Sequence, residues 1–220
     1  MATYDLEEQE QLAELKAWWR QYGNLVTGVL LVVSLSLAGW QGWNWYQRQQ
    51  AAQASAVFNV LQQAAAAGDQ QKVKAATGEL LEKFGASAYA PMAALIAGKV
   101  AFEGGDLKTA RAQLGWAADH ADGDLKDIAR MRLASVLLDE KAFDEALKLV
   151  AQPQGKHFEA LFADLRGDIL LAQGKRADAK AAYQAALQKK SDNATDGKAE
   201  SRSTGFKEVV QQKLDTLGDA

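Results

Sequence analysis

The feature that most constrains this chain is a run of 27 residues without a charge, between Arg20 and Arg48. As an α-helix rising about 1.5 Å per residue, its apolar part at 25–46 reaches roughly 30 Å, the thickness of a bilayer's hydrocarbon core. Aromatic side chains that favour the membrane–water boundary lie at both ends. They are Trp18, Trp19, Tyr22, Trp40, Trp43, Trp45 and Tyr46. A buried core helix would not need such belts, so the sequence predicts a transmembrane helix over 24–46, in contact with lipid.

A cleaved signal peptide is the alternative for an apolar segment near the N terminus. Such a peptide has a basic start and an apolar run of roughly 7–15 residues. Here the first 23 residues hold five acidic and two basic side chains, and the apolar run is longer. The triplets at 52–54 and 54–56 resemble cleavage sites only in being rich in alanine. We therefore expect an uncleaved signal-anchor.

Basic residues near a span set its orientation, because loops rich in Lys and Arg stay in the cytoplasm. Lys16 and Arg20 precede the span, whereas Arg48 alone follows it closely and the next basic residue is Lys72. The part before the span is also far shorter than the part after it. We expect a single-pass type II protein, with an acidic cytoplasmic tail at 1–23 and an exported domain at 47–220.

Composition argues against several classes of function. Segment 48–220 holds 23 basic and 23 acidic residues, so it lacks the positive surface that nucleic acids require. The chain has no cysteine, and His120 and His157 have no carboxylate at metal-ligand spacing. Asp164 and Asp168 lie one helical turn apart, which a solvated face explains at least as well as an acid/base pair. We expect no nucleic-acid partner, catalytic residue, cofactor or metal.

Internal repetition is the second strong signal. Three stretches, at 95–118, 131–149 and 164–187, each hold a small residue that is followed twelve positions later by an alanine. A larger apolar residue comes sixteen positions after the small one, in the second case directly after the stretch. The triplets are Gly98, Ala110 and Leu114; Ala134, Ala146 and Val150; and Gly167, Ala179 and Tyr183. Turn tripeptides at 104–106, 140–142 and 173–175 separate the two halves. The period of 36 and then 33 residues is typical of helix–turn–helix repeats.

This pattern predicts an all-α chain, with one transmembrane helix followed by a tetratricopeptide-like α-solenoid. Two antiparallel helices can approach closely only where both present small side chains, which explains the paired Gly and Ala positions. An irregular helical bundle with chance spacing is the alternative. A degenerate pair is expected over 58–84, broken at Gly68 and Asp69. Segment 189–205 is polar and is expected to be a loop, followed by a capping helix at 206–217.

Two surfaces are candidates for protein contacts. In helical arrays the first helix of each pair usually lines the concave, binding face. The residues expected there are Met92, Lys99, Phe102, Ile128, Met131 and Asp164. The alternative is that Met92, Phe102 and Met131 are only core residues. In the span, Ser34, Ala38 and Gly42 recur every four residues, a pattern that lets membrane helices pack together.

The acidic tail, the Trp-rich span end GWQGWNWYQRQQ and the repeat stretch FADLRGDILLAQGKRADA together resemble the YfgM-like family of ancillary SecYEG translocon subunits. The resemblance covers nearly the whole chain, except for the longer insertion at 189–205. It implies a bacterial inner-membrane protein whose periplasmic repeats lie near the translocon. It also implies contact with a membrane-anchored, prolyl-isomerase-like periplasmic chaperone and with exported polypeptides. An envelope assembly scaffold or a membrane-bound regulator of a signalling pathway remains the alternative.

Overall fold

The computed structural model describes residues 2–188 and 197–218, with side chains described over 11–188 and 205–218. The described residues form α-helices and one 3-10 turn, at 156–158, and contain no strand. The helices are α1 (Ala2–Ala66), α2 (Gln70–Lys83), α3 (Tyr89–Glu103), α4 (Leu107–His120), α5 (Gly123–Asp139), α6 (Phe143–Leu149), α7 (Glu159–Ala172), α8 (Arg176–Gln188) and α9 (Gly197–Leu217). The predicted all-α class is confirmed. The chain divides into two compact units, 1–52 and 53–220.

Unit 1 consists of the N-terminal part of α1. Its apolar side chains face outwards, as with Leu30 (59% exposed) and Trp40 (64% exposed). At the ends of the apolar stretch the rings of Trp18 and Tyr22 lie 5.8 Å apart, and those of Trp43 and Tyr46 lie 6.2 Å apart. Among the described residues, α1 is the one helix long and apolar enough to cross a membrane. The predicted span thus lies in a helix of the expected kind.

Unit 2 begins with a helix pair built from the end of α1 and from α2. Leu61 of α1, Leu80 of α2 and Ala97 of α3 belong to one buried apolar cluster. The break between α1 and α2 falls at Gly68, which has φ = 71°, and Asp69, whose carboxylate accepts the backbone N–H of Lys72. A side-chain oxygen at this position satisfies one of the free N–H groups of the new helix. The expected break at 68–69 is confirmed.

The three repeats are the helix pairs α3/α4, α5/α6 and α7/α8. Each pair is joined by three residues, at the predicted positions 104–106, 140–142 and 173–175. The middle residue of each turn has a left-handed backbone: Gly105, Lys141 and Gly174, with φ of 77°, 60° and 78°. In each turn the third residue donates its N–H to a carbonyl five residues back, over 2.8–2.9 Å. The three turns therefore have the same geometry, which excludes the alternative of an irregular helical bundle with chance spacing.

The helices of a pair cross where the sequence places small residues. An added Cβ would lie 2.5 Å from Cγ of Leu114 at Gly98, and 2.4 Å from the Tyr183 ring at Gly167. The equivalent Ala134 is fully buried. So are the alanines on the second helices, which are Ala110, Ala146 and Ala179. The predicted repeat alignment is confirmed.

Helix α9 differs from its prediction at one end. Its C-terminal part packs on the last helix pair, since Val210 and Leu217 join Leu170 and Tyr183 in a third buried cluster. It begins at Gly197, however, so the prediction of a loop over 189–205 is wrong for 197–205. The stretch after Gly197 contains no proline, so nothing in its sequence interrupts a helix that continues from 206–217. Segment 189–196 lies outside the described residues.

Candidate partner-binding surface

A groove of about 220 Å³ lies between α3 and α5 and is the first candidate site. Gly98 and Leu114 form part of its lining, at the close crossing of α3 with α4. Two of the residues predicted to face a partner, Lys99 and Phe102, lie beside them on α3. The lining on α5 consists of Arg132, Ser135 and Val136. The first helices of two adjacent pairs thus build the groove.

The groove combines an apolar surface with positive charge. Phe102 is 38% exposed. Lys99 is exposed and lies 3.6 Å from Glu103 on its own helix, a separation too long for a strong pair. Arg132 donates one weak hydrogen bond, of 3.4 Å, to the carbonyl of Leu95. Both cations can therefore turn to an incoming acidic group, while the phenyl ring offers an apolar contact.

Three further predicted residues do not join this groove. Met92, Ile128 and Met131 are half-buried and pack against core clusters. Met92 contacts the cluster shared by α1, α2 and α3, whereas the other two contact the central cluster of α3–α7. Their placement fits the alternative of a core role for the two methionines. A role in partner binding stays a prediction for all three.

The sixth predicted residue, Asp164, is engaged by the capping helix. Nζ of Lys213 on α9 lies 2.8 Å and 3.0 Å from the two carboxylate oxygens of Asp164. The same ammonium lies 2.8 Å from Oδ1 of Asp168 and 5.5 Å from the ring centre of Tyr183. The Tyr183 hydroxyl donates a 2.7 Å hydrogen bond to Asp168. We call these four residues the Lys213 cluster.

Burial and charge act together on the Lys213 cluster. Burial, together with the neighbouring Asp168 charge, raises the pKa of Asp164, although the bond to Lys213 opposes the shift. Burial disfavours the ammonium of Lys213, but its bonds to both carboxylates outweigh that penalty and raise its pKa. Burial and the bond to Asp168 also raise the pKa of Tyr183. A charged lysine held by two carboxylates anchors α9 and does not suggest acid/base chemistry.

Both histidines have local partners. His120 stacks on the indole of Trp116, with ring centres 4.0 Å apart, and its Nδ1 lies 2.9 Å from that residue's carbonyl oxygen. His157 lies 3.2 Å from the Asp124 carboxylate. In the part of the chain that the structure describes, no three metal-ligating side chains come together.

In unit 1 the small residues Ser34, Ala38 and Gly42 are exposed on α1. No atom lies within 4 Å of a Cβ built at Gly42, so another helix would meet no obstacle there. Small residues allow close backbone approach between membrane helices. Packing of this face against another membrane protein stays a prediction.

The apolar helix and the repeated pairs define the class, a tetratricopeptide repeat-like protein with an N-terminal helix that is long and apolar enough to cross a membrane. The model of the tetratricopeptide repeat-like domain family matches residues 16–219. The ancillary SecYEG translocon subunit of Escherichia coli is 32% identical over 96% of each chain. That of Haemophilus influenzae is 32% identical, over 84% of this chain and 91% of its own. That of Neisseria gonorrhoeae is 29% identical, over 96% of this chain and 98% of its own. The chain belongs to this family of ancillary translocon subunits. No solved structure matches it.

Proposed function

We propose that this protein is an inner-membrane subunit associated with the Sec translocon, and that its repeat domain binds proteins on the periplasmic side. It assists exported polypeptides there, together with a membrane-anchored, prolyl-isomerase-like chaperone. The role is one of binding, not catalysis. The names of the relatives support the translocon association, because they describe ancillary SecYEG subunits over most of this chain's length.

The groove between α3 and α5 is the observation that carries the binding role. It brings an exposed phenyl ring and two cations onto one surface of a helical array. Arrays of this kind use extended surfaces made by successive helices to bind other proteins. A surface of mixed apolar and charged character suits a polypeptide with apolar and acidic side chains. The apolar span in α1 supports the membrane location.

Cross-linking in intact membranes tests the proposal. A photo-activated amino acid at Phe102, in the groove, is compared with one at Lys108, which is exposed on α4. We expect translocon subunits to co-purify with the chain, and the Phe102 probe to give the stronger protein adduct. Recovery of an envelope assembly complex or a signalling sensor without the translocon would favour the alternative functions instead.

A charge reversal separates binding from folding. Lys99→Glu should reduce the Phe102 adduct several-fold, because it repels the acidic groups that the groove is proposed to bind. The matched control is Lys108→Glu, which adds the same charge outside the groove. Thermal melts of both variants should equal that of the unmodified protein, since Lys99 is exposed and only weakly paired. Equal adduct yields for the two variants would contradict the assignment of the groove.

A further inference from the structure

A second and larger groove, of about 880 Å³, lies between α7, α8 and segment 150–153. Its lining is rich in small side chains. The α7 and α8 residues that line it include Phe162, Ala163, Arg166, Ala181, Ala182 and Ala185. We call it the α7/α8 groove. It is lined by none of the residues predicted to bind a partner, and it shares no residue with the groove between α3 and α5.

The groove exists because α6 is short. Helix α6 has seven residues, against fourteen in α4 and thirteen in α8. Pro153 restricts Gln152 to extended backbone, so the helix cannot continue through it. The chain instead turns back to α5, where the buried carboxylate of Asp127 accepts the N–H groups of Gln154 and Gly155, each at 2.8 Å. None of the described side chains fills the space beside α7 and α8.

Segment 150–153, which forms one wall of the groove, is held in place by contacts with α5 and α7. Arg130 donates a 2.9 Å hydrogen bond to the carbonyl of Gln152, and its guanidinium lies over the ring of Phe162 at 5.5 Å. It also lies 3.6 Å from Asp127, which is 0% exposed. A fully buried carboxylate holds its position firmly, because losing its bonds would leave an unpaired charge in the interior. The groove is therefore formed before any ligand arrives.

The preceding repeat shows what covers the equivalent surface. There Leu114, Ala117 and Ala118 in the second half of α4 belong to the central cluster. With Ala121, which directly follows the helix, they form a buried apolar stripe at spacings i, i+3, i+4 and i+7. The counterparts 36 residues later are Val150, Pro153, Gln154 and His157, of which only Val150 keeps a buried apolar side chain. The helix that follows each of these segments differs in the same way. Leu133 of α5, after α4, is 9% exposed, whereas its counterpart on α7, after α6, is the exposed Arg166.

We infer that the α7/α8 groove binds a short amphipathic helix of a partner protein, which takes the place that the second half of α4 occupies one repeat earlier. The missing half-helix corresponds to about two turns, or roughly 10 Å. The alanines on α8 allow a helix backbone to come close. The partner's stripe is small and apolar at i, i+3, i+4 and i+7, as in other complexes of helices with grooves.

The charges beside the groove specify the partner further. Three charged residues line it: Glu159 and Arg166 on α7 and Asp178 on α8. Glu159 already has a partner, whereas Arg166 and Asp178 make no ion pair or hydrogen bond with a described residue. A partner helix that carries an acidic residue towards Arg166 and a basic residue towards Asp178 satisfies both. Such pairs fix the orientation of the bound helix more than they increase its affinity.

A peptide of residues 107–121 provides the probe, because it is the segment of this chain that fills the equivalent site. It carries the apolar stripe together with Lys108, Arg111 and Asp119. The peptide is labelled with fluorescein and titrated with the full chain in detergent micelles, with anisotropy as the readout. We expect saturable but weak binding, since a helix of this length is marginal in isolation and ordering it costs free energy.

Matched variants locate the binding. Ala181→Glu places a charge in the groove, whereas Gln184→Glu places the same charge at an exposed position of α8 outside it. We expect at least a tenfold loss of affinity for the first and no loss for the second. Ala181 is itself exposed, so its variant should melt like the unmodified protein. If its melting temperature falls, Ala181→Gln repeats the test without the charge.

Three results would overturn the inference. One is the absence of peptide binding. If the peptide does not bind and Ala181→Glu dissociates a dimer of the chain, the occupant of the groove is a second copy of the chain and not a partner protein. Another is an equal effect of both glutamate variants. The third is undiminished binding of a Gly115→Pro peptide, which cannot form the helix and would indicate an extended occupant. The assay contains no translocon, so its failure and that of the proposed function are distinguishable.

Discussion

Replacing Gly167 by alanine tests the close crossing of α7 and α8. The added Cβ would lie 2.4 Å, 2.6 Å and 2.9 Å from Cε1, Cδ1 and Cζ of Tyr183, whereas ordinary contact begins at 3.4 Å. The ring would have to withdraw by about 1 Å to restore normal van der Waals separation. It has little room to do so, because Tyr183 is 0% exposed and its hydroxyl is bonded to Asp168 at 2.7 Å.

The expected loss of stability follows from two opposing terms. Overpacking a well-filled site costs about 1–3 kcal/mol. Alanine in place of glycine inside a helix returns about 1 kcal/mol. Since the clash falls on the body of a held ring and not on the end of a flexible side chain, the first term dominates. We expect a net loss of up to about 2 kcal/mol.

The matched control is Gly78→Ala in α2. A Cβ built at Gly78 has no atom within 4 Å, so this change gains helix propensity without a clash. Thermal melts of the full chain in detergent, followed by circular dichroism, compare the two. For a domain of this size 1 kcal/mol shifts the melting temperature by about 2–4 °C. The two shifts should have opposite signs, and a rise for Gly167→Ala would refute the predicted crossing.

Two further predictions concern the cap and the topology. Lys213→Met should lower the melting temperature near pH 7 more than the exposed Lys207→Met does, because it leaves two half-buried carboxylates without a cation. The pKa of Lys213 is raised above 10.5, so its contribution to the free energy of unfolding is complete below pH 10.5 and is lost as the pH rises through the raised value. The difference in melting temperature between the unmodified chain and Lys213→Met should therefore narrow at high pH. A constant gap would argue against the ion pairs. For topology, protease added outside spheroplasts should digest 48–220 and spare the tail, and the mature chain should begin at Met1 or Ala2. A mature N terminus near Ala54 would instead establish cleavage.

The repeats could be predicted from the sequence because their determinants are local. A three-residue turn, a small residue and an alanine twelve positions later all fall within one helix pair. Lys141 shows that the turn does not even require glycine, since it adopts φ = 60° where the other repeats have Gly105 and Gly174. Spacing was therefore a better guide to the turns than residue type.

The Lys213 cluster could not be predicted in the same way. Lys213 contacts Asp164 and Asp168 across 49 and 45 residues of sequence, with segment 189–196 between them. The sequence placed Asp164 on a face expected to be open, since nothing local indicates which residue α9 brings to it. The amphipathic stripe at 206–217 shows that a helix docks, but its apolar positions say nothing about a lysine among them.

The polar contacts of α9 fix its register, that is, its position along α7 and α8, which the apolar stripe does not determine. Val210, Leu214 and Leu217 recur at nearly every turn, so an apolar stripe alone would tolerate a slip of one turn along α7 and α8. Such a slip moves Nζ of Lys213 by about 5.4 Å, so that it can no longer bridge Asp164 and Asp168, each of which it now contacts at 2.8 Å. A half-buried ion pair adds little net stability over an apolar pair of similar size, so its contribution is better measured as specificity. Lys213→Met should therefore leave α9 helical but docked in more than one register, and cross-links from a cysteine at Val210 to the array should spread over more than one turn. A single cross-linked position in the variant would show that the apolar stripe sets the register without the lysine.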